Sequence, residues 1–282
     1  MTARVLAALT LLALLGSPAF AADAPDASAL FAGGQAALTK GDLSGAFKAF
    51  AAAARAAPEN MEYRQQAMLL KKVIRLRKHV SKAEPDARWQ LTVRSLHVYF
   101  VGRGLNRLAL DLDREAHGRA PSALTASLLG EVLLEAGENA EAAKLLTDVE
   151  KSWLTPENLV YRGIANARLG KKDAAKADLV AVATDGITPG LRFDLARLHV
   201  LLGEIDAGVR HLTLCFEAVT PSQLEAWKKH AKECPDLKVL AKTDALTKLL
   251  AVKSKVEESD CSGGSGCGSC PSRGSCGKAD GK

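Results

Sequence analysis

The chain has 282 residues, 48% of them apolar, 25% charged and only 5% aromatic, with a net charge of +6 and six cysteines. An apolar fraction near one half supports a packed core and excludes disorder along the whole chain, while six cysteines at this length are too few for a disulfide-built scaffold. Leu and Ala supply most of the apolar content, which favours helix over strand.

Residues 1–21, MTARVLAALTLLALLGSPAFA, set Arg4 ahead of a largely apolar run from Val5 to Leu15, which Gly16 and Pro18 break before Ala19-Phe20-Ala21. That is the layout of a secretory signal peptide cleaved after Ala21. The run falls short of the ~20 apolar residues that span a bilayer, and no later stretch is long and apolar enough. The mature chain is expected to start at Ala22 and to work in the periplasm, the cell envelope or outside the cell, where disulfides persist.

A 33-residue period organises the middle of the chain. Gly104, Gly137, Gly170 and Gly203 mark it, and the text around the last three recurs as GEVLLEAGENAEAAKLL, GIANARLGKKDAAKADL and ARLHVLLGEIDAGVRHL. Seven residues before each of these turn glycines stands a small residue (Gly130, Gly163, Ala196). Five after it stands another (Ala142, Ala175, Gly208), and four further on a leucine (Leu146, Leu179, Leu212). The segment QAALTKGDLSGAFKAFAAAARAAPEN fits the same frame through Gly34, Gly41, Ala46, Phe50, Ala53 and Pro58. The pattern predicts a helix, a left-handed glycine turn and a second, antiparallel helix, with small residues letting the two backbones approach. Pro58, Pro121, Pro156, Pro189 and Pro221 punctuate the units and start the next helix. One such pair cannot bury its own apolar face, so several must stack. Residues 61–84 lie outside the frame and predict one long amphipathic helix with Leu69, Val73, Leu76 and Val80 on its apolar stripe, bridging the first unit to the rest.

This arrangement resembles the tetratricopeptide repeat. The resemblance covers units 27–60, 123–156, 156–189 and 189–221 well and 85–121 poorly: there only Gly104, Ala109, Ala116 and Pro121 match, and Asp113 falls where an apolar residue is expected. Most aromatic positions of the family pattern hold Leu, Arg or His, so the repeats are degenerate. The stretch KECPDLKVLAKTDALTKLL is similar to the closing segment of bacterial arrays of this family, with closing helices over 222–258. The resemblance implies an all-α, right-handed solenoid of antiparallel helix pairs over 22–260 that binds a protein or peptide in a groove lined by the first helix of each pair. The matching positions are Ser127, Glu131, Glu135, Val160, Ile164, Arg168, Phe193 and Arg197. The Lys and Asn of the family's carboxylate-clamp version are absent.

The charge is concentrated. Between Arg64 and Arg107 eleven Lys or Arg face two acids, +9 in 44 residues, and the mature remainder is slightly acidic. Arg64, Lys71, Arg75, Lys78 and Lys82 share one side of the long helix at helical spacing. They read either as a docking face for an anionic surface, glycan or acidic partner or as a solvated face. Nucleic acid is disfavoured by export and by the lack of interleaved aromatics.

Residues 261–282, CSGGSGCGSCPSRGSCGKADGK, contain seven Gly, five Ser and four Cys. Such a segment cannot bury a core and predicts a flexible tail. Cys261, Cys267, Cys270 and Cys276, ordered C-x5-C-x2-C-x5-C, admit two readings: tail disulfides, or thiolates that bind Zn or Cu or cycle redox state. The second makes the solenoid a carrier for a metal- or thiol-handling tail, the alternative function. Cys215 occupies a small-residue position, where a buried thiol packs like Ala; a bridge to Cys234 is the other reading. No GxSxG, HExxH, phosphate loop or dinucleotide fingerprint is present and the six histidines lack ligand spacing, so no catalytic site and no cofactor beyond the tail metal is expected.

Overall fold

The computed structural model describes residues 26–149, 151–183 and 186–257, and among them every regular element is helical. Residues 1–21, expected from sequence to be a signal peptide, and the cysteine-rich stretch 261–282 lie outside the described residues. Two compact units divide the chain, the first ending at Glu138 and the second starting at Asn139.

The first unit holds α1 (Ala27–Thr39), α2 (Leu43–Ala56), α3 (Met61–Lys82), α4 (Ala87–Val101), α5 (Asn106–Arg119) and α6 (Ala123–Glu135). The second holds α7 (Asn139–Asp148), α8 (Pro156–Arg168), α9 (Lys172–Ala181), α10 (Pro189–Leu202), α11 (Ile205–Ala218), α12 (Pro221–Glu233), a 3-10 segment (Pro235–Lys242) and α13 (Asp244–Leu250). Helices adjacent in sequence pack as pairs: α1 with α2, α4 with α5, α8 with α9, α10 with α11.

Local chemistry sets the boundaries. Asp42, Asp86 and Asn60 cap α2, α4 and α3 by accepting backbone N–H bonds from Gly45, Trp89 and Glu62, each satisfying an orphan donor of the first turn. Ser122 and Thr125 form a reciprocal capping box at α6,. Pro156, Pro189 and Pro221 are the first residues of α8, α10 and α12, where a missing N–H costs nothing. The turn glycines are left-handed as the period predicts, with φ +83° at Gly41 and +88° at Gly203.

The small-residue positions carry close helix contacts. A Cβ on Gly163 would lie 2.8 Å from Leu198 Cδ2, and one on Gly208 2.6 Å from Val200 Cγ2. Ala142 and Ala175 are fully buried. Leu146 and Leu212 are core residues as expected, but Leu179 is only half-buried, and its neighbour Asp178 is buried instead. Asp178 is tolerated there because Arg162 donates to its Oδ1 from Nε at 3.0 Å and from a terminal nitrogen at 2.6 Å,.

The long bridging helix is α3, and its buried stripe is Ala67, Leu70, Val73 and Val80. Leu69 is exposed and Leu76 half-buried, which corrects the stripe expected from sequence. Adjacent leucines point about 100° apart on a helix, and the packing of α2, α4 and α5 against α3 selects Leu70. The weakly matching unit 85–121 does form a helix pair, anchored by Trp89, which is fully buried and donates its indole N–H to Val80 O at 2.9 Å.

Candidate functional site

The repeat frame places Ser127, Glu131 and Glu135 ten, six and two residues ahead of Gly137. At the same offsets ahead of Gly41 stand Phe31, Gln35 and Thr39. These three open on a cleft of about 290 Å3 in the first unit, whose other lining residues are Leu38, Phe50, Glu62, Gln66, Arg103 and Leu105. Leu38, Phe50 and Leu105 are buried and form an apolar floor; Gln35, Thr39, Glu62 and Arg103 are exposed at the rim. Phe31 is held from two sides, with its ring centroid 5.0 Å from that of Phe50 and stacked 4.5 Å from that of Tyr63,. A Cβ on Gly34 would lie 2.5 Å from the Phe50 ring, so glycine is what lets α1 close on that floor. Arg103 rests over the Tyr99 ring at 4.8 Å, a contact that positions the guanidinium without neutralising it.

The floor of this cleft is apolar and its rim polar. The carboxamides of Gln35 and Gln66 each offer a donor and an acceptor that match a peptide bond, and Glu62 and Arg103 supply opposite charges at the rim. The offsets before Gly41 are the signal in the sequence that could have found this site; the groove positions expected from sequence fall only on the later pairs.

Those later positions are placed differently. Val160, Ile164 and Phe193 are buried in the core, which removes them from any solvent-facing groove. Phe193 packs 5.6 Å from the Trp227 ring and stacks 4.7 Å from that of His230, both on α12. Arg197 is 4% exposed, and it and Arg168 both bind Asp236 of the 3-10 segment. Arg168 does so through two bonds of 3.0 and 2.8 Å, and Arg197 through Nε at 2.9 Å. Burial raises the Asp236 carboxyl, but the two guanidiniums outweigh it and hold the group below its ordinary range. Arg197 also meets Asp194 at 3.0 Å. In the second unit, therefore, the chain's own closing segment occupies the arginines expected to meet a partner. In the first unit Ser127 is half-buried and Glu135 exposed.

Glu131 belongs to a buried network the sequence did not reveal. His97 bridges two carboxylates, Nδ1 to Asp113 Oδ2 at 2.7 Å and Nε2 to Glu131 Oε2 at 3.3 Å. His97 is 3% exposed and Asp113 fully buried. Burial disfavours the imidazolium, yet the hydrogen bonds and charges of Asp113 and Glu131 outweigh it and lift His97 to about 9. Burial raises Asp113 as well, with His97 pulling it back; the direction at His97 is the firmer, because two carboxylates serve one imidazole. In the second unit His211 stacks on His199 at 5.0 Å, and burial, with the charges of His199, Arg192 and Arg210, lowers it to about 4.

The two histidines give opposite pH responses. His97 has a folded value above its unfolded ~6.5, so its stabilisation is complete below that and is lost as pH rises through about 9. His211 has a folded value below it, so its contribution is complete above ~6.5 and is lost as pH falls toward about 4,. Hydrogen exchange across pH should therefore loosen the first unit first in base and the second first in mild acid. A second unit that loosens before the first as pH rises from ~7 to ~9, or a first unit that loosens before the second as pH falls below ~6.5, would refute this assignment.

Arg64, Lys71, Arg75, Lys78 and Lys82 are all exposed on α3. Cys215 and Cys234 are buried thiols in the core of the second unit, and burial pushes Cys215 up to about 12. Cys261, Cys267, Cys270 and Cys276 lie outside the described residues, and with them both the disulfide reading and the Zn or Cu reading. Among the described residues no cluster of three His, Cys, Asp or Glu could hold a metal ion, and no helix is long and apolar enough to cross a membrane. No protein-family model matches the chain, and no curated protein is detectably similar to it in sequence.

Proposed function

We propose that the chain is an exported adaptor whose helix pairs stack as a right-handed solenoid and whose first pair anchors an apolar side chain of a partner protein or peptide. The observation that carries this reading is the cleft itself: Phe31, Gln35 and Thr39 occupy the groove positions of the repeat frame and stand over an apolar floor. Preformed concave sites with an apolar base and a few convergent polar groups are the usual form of a recognition pocket, and the mixed rim suits an extended or helical peptide. Binding is expected to concentrate on this first pair, since the equivalent positions on α8 and α10 are buried or held by Asp236.

A random-peptide library panned against the mature protein tests the reading. Enriched peptides should share one apolar anchor and lose ~10-fold or more in affinity against Phe31→Ala, the scale of an interface hot spot. Enrichment of peptides that bind Phe31→Ala as well as wild type would place recognition elsewhere, and a library that yields no binder at all would count against the peptide-binding reading.

A further inference from the structure

The exposed side of α3 carries one unbroken stripe: Met61, Arg64, Met68, Lys71, Arg75, Lys78 and Lys82, spaced by alternating three and four residues. That spacing keeps all seven on one line of the helix, about 30 Å long at 1.5 Å per residue. Every member is exposed, Met61 by 56% and Met68 by 66%, and the neighbouring Leu69 by 37%. No acid interrupts the stripe. Arg77 is turned off it, bound to Glu115 on α5 at 2.6 Å, whereas Lys71, Lys72, Arg75, Lys78 and Lys82 make no ion pair among the described residues.

A merely solvated helix face of this length normally alternates charges, because like charges at three- and four-residue spacing repel. This stripe keeps that repulsion and adds exposed thioethers and a leucine at its N-terminal end. We infer that α3 docks on an anionic bilayer surface. The cations meet acidic lipid head groups, and Met61, Met68 and Leu69 enter the shallow head-group boundary while their backbone stays outside. Met61 Sδ accepts from the Arg64 guanidinium, but a soluble polyanion would satisfy the cations and leave exposed Met68 and Leu69 no role; that difference selects the bilayer. The helix lacks aromatic anchors on this face, so docking is superficial and reversible.

Vesicle co-sedimentation tests the inference, with phosphatidylcholine containing phosphatidylglycerol against phosphatidylcholine alone. The mature protein should bind the anionic vesicles ~10-fold or more tightly, and lose about that factor between about 50 and 300 mM salt. Lys71→Glu/Arg75→Glu/Lys78→Glu should abolish the preference, and the milder Lys71→Gln/Lys78→Gln should reduce it if the triple reversal disturbs folding. Met61→Gln/Met68→Gln should weaken vesicle binding several-fold while leaving retention on soluble heparin unchanged. Phe31→Ala, which disables the peptide cleft, should leave vesicle binding intact. Equal binding to neutral vesicles, or a methionine variant that binds anionic vesicles like wild type, overturns the inference; the latter would mark the stripe as a polyanion site.

Discussion

Asp113→Ala is expected to destabilise the first unit by about 3–5 kcal/mol, the usual cost of removing one partner from a buried ion pair. Asp113 is fully buried and holds His97 at 2.7 Å; its removal leaves an imidazole that is 3% exposed with only half-exposed Glu131 beside it. Without that carboxylate the imidazolium can no longer be sustained at neutral pH, so a hydrogen bond, a charge interaction and a filled volume are lost together. The loss should appear as a lower urea midpoint and as faster hydrogen exchange confined to α4, α5 and α6. Replacing both partners, His97→Leu with Asp113→Leu, should recover most of the stability, because a well-packed apolar pair avoids the desolvation that the charged pair must overcome. It should also abolish the loosening above neutral pH. A single substitution costing under ~1 kcal/mol would mean that the network is solvated and contributes little.

Asp236→Ala should be nearly as costly for the second unit, about 3 kcal/mol or more by the same argument. Asp236 is the common acceptor for Arg168 and Arg197, and the three anchor the 3-10 segment to α8 and α10. Arg197 would retain Asp194 and Arg168 would retain Asn139 at 3.1 Å, so α8 and α10 should hold together while the closing segment lifts. Trypsin cleavage after Lys238 and Lys242 is expected to accelerate ~10-fold or more, since local opening controls access, with α8 to α11 still protected. Asp236→Asn should fall between, keeping an acceptor but not the charge. Unchanged cleavage in Asp236→Ala would show that apolar packing by Leu237, Leu240 and Leu249 holds the segment unaided.

The helix pairs were legible because their signals are local. A glycine period of 33, a small residue at a fixed offset and a proline at a unit boundary each act within one or two turns of the chain. Asp113 was legible only as a misfit in an apolar slot: its partner His97 lies sixteen residues earlier, and their meeting depends on how α4 crosses α5. The long helix was legible too, yet the choice between Leu69 and Leu70 depends on which neighbours pack against it. For the groove, the frame told which side of each helix the residues share and nothing of what covers that side. Arg168 and Arg197 looked available in sequence because their acceptor, Asp236, is 68 residues from one and 39 from the other. The first-pair cleft was visible in the frame at Phe31, Gln35 and Thr39, and depended on the chain folding Tyr63 and Arg103 beside it.

If recognition occurs at the first helix pair, a hydrogen-exchange footprint of a bound, library-selected peptide will fall there. Protection is expected across residues 31–39, 62–66 and 103–105, with the stretches 160–168 and 193–197 unchanged by the peptide. A footprint confined to α8 and α10, or peptide binding with no protection around Phe31, would contradict it.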